Sequence, residues 1–137
     1  MTDIELNEPA KKMSKKVLIV EDDASLLDIL ATKVSAEGFE VLKAHDGEEG
    51  LAVALREYPD LILLDLLLPK LSGLDMLTEL RKDEKGKQIP VFVLTNLSEN
   101  SNIYKSIALD SSAYFIKSNS SLELIATEVK NKLSPVK

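Results

Sequence analysis

The stretch Leu61-Ile62-Leu63-Leu64-Asp65-Leu66-Leu67-Leu68-Pro69 decides the fold of this chain. Its first four residues form a continuous apolar run that is short for a helix and lies between two aspartates. Such a run is typical of a strand in a parallel sheet, where helices cover both faces. The sequence therefore predicts a buried central strand that ends at Asp65.

Similar apolar runs recur before and after this strand. We predict strands at residues 17–20, 41–44, 91–94 and 113–116, and a segment of helical period follows each of the five strands. Strict alternation of strands and helices implies right-handed crossovers and a parallel sheet. The expected fold is α/β, a doubly wound three-layer sandwich, (βα)5, around a five-stranded parallel sheet.

The predicted helices have recognisable ends and apolar faces. The first ends at Gly38, and the second begins at Asp46-Gly47 and ends at Tyr58-Pro59. The fourth is the weakest, with Ile103 and Ile107 as its apolar residues. The fifth is predicted to bury one face, formed by Leu122, Ile125, Ala126, Val129 and Leu133.

Length and composition are those of one small globular domain. The 137 residues are 45% hydrophobic and 29% charged, with a net charge of −6 and no cysteine. We expect a leader at residues 1–15, a domain at 16–134 and a tail at 135–137. A negative surface disfavours direct nucleic-acid binding, and no apolar run could span a membrane, so we expect a cytoplasmic protein.

Polar residues follow four of the predicted strands at the point where each ends. Strand one is followed by Glu21-Asp22-Asp23, strand three by Asp65, strand four by Thr95 and strand five by Lys117. Ligands of doubly wound sheets bind outside the carboxyl ends of the strands. Carboxylates, a hydroxyl and an ammonium group are therefore expected to converge there.

This set of groups suits phosphoryl transfer. Carboxylates held close together repel one another unless a cation intervenes, and hard oxygen ligands suit Mg²⁺. With Mg²⁺ bound, an ionised Asp65 could attack a phosphoryl group, while Thr95 and Lys117 stabilise its oxygens. The product would be an aspartyl phosphate.

Over residues 16–133 the chain resembles the receiver domains of two-component response regulators, in particular the single-domain, chemotaxis-regulator-like members with a flavodoxin-like fold. The order and spacing of four motifs carry the resemblance. They are Val-Glu-Asp-Asp (20–23), Leu-Asp-Leu-Leu-Leu-Pro (64–69) with Gly73, Leu-Thr-Asn (94–96) and Tyr-Phe-Ile-Lys (114–117).

The resemblance implies a role for each site residue. Asp65 would accept phosphate from a histidine kinase or phosphotransfer protein, and Asp22 and Asp65 would ligate Mg²⁺ directly. Glu21 would act through metal-bound water, and Leu67 would contribute its backbone carbonyl. Thr95 would turn towards the phosphate.

The resemblance also implies a switch. Tyr114 would follow Thr95 between exposed and buried rotamers, and the surface around the fourth helix, fifth strand and fifth helix would change to control a downstream effector protein. The only catalysis expected is self-phosphotransfer and slow self-dephosphorylation, so we do not expect an enzyme. We expect a monomer or a weak phosphorylation-dependent dimer, with output through a partner protein.

Three features qualify the resemblance. Asp23 corresponds to a helix-capping position and is kept out of the metal site. Ser118 stands where the family usually has proline, so a trans peptide or a mobile loop is expected there. Asn96 and Leu67 flank the expected phosphoryl group, which predicts an altered phosphoryl lifetime.

Three alternative functions are considered. An aspartate-nucleophile phosphatase would resemble a pattern with a second aspartate at position 67, where this chain has leucine. An FMN-binding protein would need a phosphate loop after strand one, where this chain is acidic. A receiver that acts as a scaffold without phosphorylation usually lacks part of the acidic site, which is complete here.

Overall fold

The computed structural model describes residues 14–95, 113–117 and 121–134. These residues form one five-stranded sheet in the order β2-β1-β3-β4-β5, and every neighbouring pair of strands is parallel. This order confirms the predicted doubly wound sheet. The strands are β1 (Lys16–Val20), β2 (Glu40–Ala44), β3 (Leu61–Asp65), β4 (Val91–Thr95) and β5 (Ala113–Ile116).

The described residues also contain four α-helices and one short 3₁₀ helix, Gly86–Gln88. The last α-helix, Leu122–Leu133, corresponds to the fifth predicted helix. The fourth predicted helix, around Ile103 and Ile107, lies outside the described residues. The α-helices are α1 (Ala24–Ala36), α2 (Gly47–Glu57), α3 (Gly73–Lys82) and α4 (Leu122–Leu133).

The core consists of two apolar layers, one on each face of the sheet. Alternate residues of β3 belong to different layers: Ile62 and Leu64 pack towards α2 and α3, and Leu61 and Leu63 pack towards α1 and α4. All four are fully buried. Burying each such side chain stabilises the fold by about 1.5–3 kcal/mol. The continuous apolar run is therefore explained by a three-layer sandwich.

Local sequence signals begin and end the helices as predicted. Asp23 caps α1 by accepting a hydrogen bond from the Leu26 N–H, and Gly38 beyond its end has φ of 100°. Tyr58 adopts a left-handed conformation with φ of 45° at the end of α2, directly before Pro59.

The prediction that the last helix buries its whole apolar face is wrong at the two ends of the helix. Ile125, Ala126 and Val129 are buried, whereas Leu122 and Leu133 are only half-buried, although both pack against the same core cluster. The first strand begins at Lys16. None of the helices in the described ranges is long and apolar enough to cross a membrane.

Candidate functional site

The register of the parallel strands brings the predicted site residues to one edge of the sheet. Val20 at the end of β1 lies beside Leu64, and Asp65 lies beside Leu94. Thr95 is paired with Ile116, and its carbonyl accepts a hydrogen bond of 2.8 Å from the Lys117 N–H. Residues that are far apart in the sequence therefore meet because neighbouring strands end at the same level.

Asp65 lies at the centre of this edge and is 4% exposed. Its Oδ2 lies 3.1 Å from Lys117 Nζ, and its Oδ1 accepts a hydrogen bond of 3.2 Å from the Leu67 N–H. Each carboxylate oxygen thus has one partner that stabilises negative charge. This arrangement fixes the orientation of the carboxylate.

Glu21 is the most deeply buried carboxylate of the site, with 1% exposure. Its Oε2 accepts a hydrogen bond from the Asp23 N–H. Its Oε1 lies 2.9 Å from Lys117 Nζ as an ion pair, but the two groups are not aligned as a hydrogen bond. Burial raises the pKa of Glu21, and the contact with Lys117 opposes this only in part.

Lys117 is the shared cation of two buried carboxylates. Burial alone would lower its pKa, but the contacts with Glu21 and Asp65 outweigh that effect, so the pKa of Lys117 is raised. Its side chain is 20% exposed. Thr95 beside it is fully buried. Two acidic neighbours therefore share one ammonium group at the centre of the site.

Asp22, which is exposed, completes an acidic cluster with Glu21 and Asp65. One carboxylate oxygen from each of the three lies within 4.8 Å of the others. Together the three carboxylates exceed the charge of Lys117, and the buried Glu21 Oε1 lacks a hydrogen bond among the described residues. A hard divalent cation such as Mg²⁺ fits this set of oxygen ligands.

The loop of residues 66–72, between β3 and α3, packs against the end of β3. The Gly73 N–H donates a hydrogen bond of 2.9 Å to the Leu66 carbonyl. A Cβ at Gly73 would lie 2.2 Å from the Asp65 carbonyl oxygen, so only glycine permits this approach. The Leu67 side chain is 62% exposed at the rim of the site.

Several sequence predictions at the site are not tested by this geometry. The Leu67 carbonyl as a metal ligand and the roles of Thr95 and Lys117 on a phosphoryl group stay predictions. Tyr114 lies on β5 beside Val93, but its side chain is not described. Asn96 and Ser118 lie outside the described residues.

Sequence reasoning missed two contacts of the site. It assigned Lys117 to a phosphoryl group and did not predict its ion pair with Glu21. It also did not predict that Gly47, at the start of α2, contacts the loop after Asp65. The Asp-Gly pair that begins α2 was the available signal, since glycine after a helix cap often permits close backbone approach.

The fold and the site define the class of protein: a flavodoxin-like α/β domain with an acidic cluster and a lysine at the carboxyl edge of its sheet. The model of the response regulator receiver domain matches residues 17–128. The chain therefore belongs to the receiver domain family of two-component response regulators.

Relatives and solved structures agree with this assignment. The chain is 40% identical over 112 residues to a probable transcriptional regulator ycf27 of Porphyridium aerugineum, covering 82% of this chain and 45% of that protein. It is 34% identical to the phosphate regulon regulatory protein PhoB of Pseudomonas aeruginosa, covering 83% of this chain and 50% of PhoB. The chain thus spans about half the length of these curated relatives.

Among solved structures, a CheY-like receiver domain protein of Methanospirillum hungatei is similar with a TM-score of 0.77 and 30% identity. The similarity covers 88% of this chain and 94% of that one. The chemotaxis response regulator CheY4 of Vibrio cholerae has a TM-score of 0.79 and 25% identity, over 88% and 100% of the two chains. The flavodoxin-like fold is confirmed.

Proposed function

We propose that this chain is a phosphoacceptor switch in which Asp65 receives a phosphoryl group in a Mg²⁺-dependent reaction. The observation that carries the proposal is the position of Asp65. It is nearly buried, has a cation 3.1 Å from one oxygen and a backbone donor 3.2 Å from the other, and lies within an acidic cluster.

In the proposed reaction, a carboxylate oxygen of Asp65 attacks the phosphorus atom of the donor. A P–O bond to Asp65 forms, the bond from phosphorus to the donor atom breaks, and the electron pair leaves with the donor. Lys117, already beside Asp65, would neutralise charge on the transferred group. The buried Thr95 is the second candidate donor to that group.

Asp22 and Asp65 would hold the Mg²⁺ ion, with Glu21 acting through water and Leu67 through its carbonyl. When bound, the cation would neutralise the cluster and the developing phosphoryl charge. The clustering of the three carboxylates supports this assignment, because their oxygens lie within 4.8 Å of one another and their combined charge exceeds that of Lys117.

As a receiver, the chain would take its phosphoryl group from a histidine kinase or a phosphotransfer protein. Phosphorylation would shift a pre-existing equilibrium towards a state that controls an effector. We propose that Thr95 and Tyr114 carry this change to the surface around β5 and its neighbouring helices. We also propose a cytoplasmic location and no catalysis beyond self-phosphotransfer and slow hydrolysis.

The test is phosphorylation by acetyl phosphate, measured as a mass increase of the intact protein. We expect a single phosphoryl adduct that requires Mg²⁺ and is absent in Asp65→Asn. The matched control is Asp28→Asn, because Asp28 is an exposed aspartate on α1 that pairs with Lys43. This control should be phosphorylated like the wild type.

A folded, Mg²⁺-binding protein that forms no adduct with acetyl phosphate or with a phosphorylated histidine kinase would contradict the proposal. The scaffold function would then be favoured. An adduct that persists in Asp65→Asn would place the phosphoacceptor at another residue.

A further inference from the structure

The loop at residues 66–72, which follows Asp65, is anchored at two points. At one, the Gly73 N–H donates to the Leu66 carbonyl. At the other, the Pro69 carbonyl accepts a hydrogen bond of 3.3 Å from the Gly47 N–H at the start of α2. Between these anchors lies Leu67, whose N–H contacts Asp65. The second anchor therefore connects α2, which contributes none of the acidic residues, to the site.

Gly47 allows a backbone contact that no larger residue would permit. The residue is buried, and a Cβ at this position would lie 1.7 Å from the Leu71 carbonyl oxygen and 2.6 Å from the Leu71 carbonyl carbon. Because both atoms belong to the backbone, a side-chain rotation could not relieve the overlap. Either the loop or the first turn of α2 would have to move.

The anchored part of the loop is also strained. Lys70 has φ of 70°. The Leu71 N–H donates a hydrogen bond of 2.8 Å to the Pro69 carbonyl, and this bond spans Lys70 alone. A hydrogen bond across one residue of positive φ marks a tight turn that is unfavourable for lysine. Such a turn persists only where its surroundings hold it, and Gly47 provides that contact.

Asp46 adds a second link between α2 and this turn. Its Oδ1 caps α2 by accepting a hydrogen bond of 2.8 Å from the Glu49 N–H, and its Oδ2 lies 3.7 Å from Lys70 Nζ. The same residue thus begins the helix and faces the strained turn. The start of α2 and the loop form one connected unit.

We propose that Gly47 is a positioning residue: it holds the strained turn at Lys70, and thereby keeps the Leu67 N–H on the Asp65 carboxylate. The inference rests on the proposed function for its effect on phosphorylation. Its structural part, the placement of the Leu67 N–H, is independent of that function.

The experiment compares Gly47→Ala with Gly50→Ala, a matched control one turn later in α2. The three atoms nearest to a Cβ at Gly50 belong to the side chains of Val20 and Met76, at 2.9–3.0 Å, and none of them is a backbone atom. Two quantities are measured: the hydrogen-exchange rate of the Leu67 amide by NMR, and the rate of phosphorylation by acetyl phosphate at several Mg²⁺ concentrations. Urea unfolding of each variant gives its stability.

For Gly47→Ala we expect Leu67 amide exchange to rise, and phosphorylation at saturating Mg²⁺ to fall, on the order of tenfold. Gly50→Ala should keep both near the wild-type values. Lys70→Val serves as a second variant if Gly47→Ala does not fold. A β-branched side chain disfavours the positive φ of residue 70, so Leu67 amide exchange should rise and phosphorylation should fall, as in Gly47→Ala.

Wild-type exchange and phosphorylation rates in Lys70→Val, and in Gly47→Ala if it folds, would overturn the inference. A variant that loses stability in urea but keeps the wild-type exchange and phosphorylation rates would also overturn the inference. If the wild type itself is not phosphorylated, the proposed function fails, and the Leu67 exchange rate in the variants still decides whether Gly47 positions this amide.

Discussion

Asp22→Asn should stabilise the metal-free protein and destabilise the Mg²⁺-bound protein relative to the wild type. Asp22 is exposed, and its carboxylate lies in a cluster with those of Glu21 and Asp65. Among the residues that the structure describes, one ammonium group, that of Lys117, faces the two buried carboxylates. Without a metal, Asp22 therefore experiences one uncompensated negative charge.

The separation within the cluster sets the size of this effect. The ligand oxygens lie within 4.8 Å of one another. For an exposed group with water-like screening, one unit charge at this distance costs about 1 kcal/mol. Removing the charge of Asp22 should stabilise the metal-free protein by about that amount.

Mg²⁺ should reverse the order of stability. A ligand at a free concentration of about 100 times its Kd stabilises the folded state by about 2.7 kcal/mol. Asp22→Asn replaces a charged ligand by a neutral one and should lose most of this gain. At that concentration the wild type should be the more stable protein by about 1–1.7 kcal/mol.

Urea unfolding is measured once in a chelator and once in Mg²⁺, at constant ionic strength. The two series compare the stability of Asp22→Asn with that of the wild type, first without the metal and then with it. Asp28→Asn is the matched control, since Asp28 is exposed on α1 outside the cluster. Its response to Mg²⁺ should equal that of the wild type. A variant Asp22→Asn that is less stable in chelator, or that gains as much from Mg²⁺ as the wild type, would refute the electrostatic reasoning.

Three further substitutions test other contacts. Lys117→Met leaves Glu21 and Asp65 without their shared cation, so urea unfolding in chelator should show a loss of about 2–4 kcal/mol, and the phosphorylation rate should fall. Leu67→Asn places a polar side chain at the rim of the site, where the leucine is 62% exposed. The phosphoryl adduct should therefore decay faster, as followed by mass spectrometry. Arg81→Met removes two hydrogen bonds to carbonyls of residues 86–89 and should lower the free energy of unfolding by about 1–3 kcal/mol.

The sheet was predictable because its signals are local. Residues 61–64 are apolar without alternation, and only burial on both faces accommodates that pattern. The capping of α1 by Asp23 and the end of α2 at Tyr58 were equally local. The first residue of β2 was missed because Glu40 is an exposed residue whose only strand signal is its pairing with Lys16.

The sequence predicted which residues lie at the strand ends that form the site. It did not predict all of the contacts between them. Parallel strands that end together bring Asp65 and Lys117 to one edge, whatever the intervening sequence. The ion pair of Lys117 with Glu21 depends on side-chain packing between strands that are not neighbours in the sheet. The contact of Gly47 with Leu71 depends on where two loops meet. Neither has a periodic signal in the sequence.

The most direct test of the account is to identify the residue that carries the phosphoryl group. After phosphorylation by acetyl phosphate and Mg²⁺, borohydride reduces an aspartyl phosphate to homoserine, and peptide mass spectrometry locates the change. We predict a single homoserine at position 65, dependent on Mg²⁺. Reduction at Asp22, Asp23 or another aspartate, with position 65 unchanged, would contradict the account.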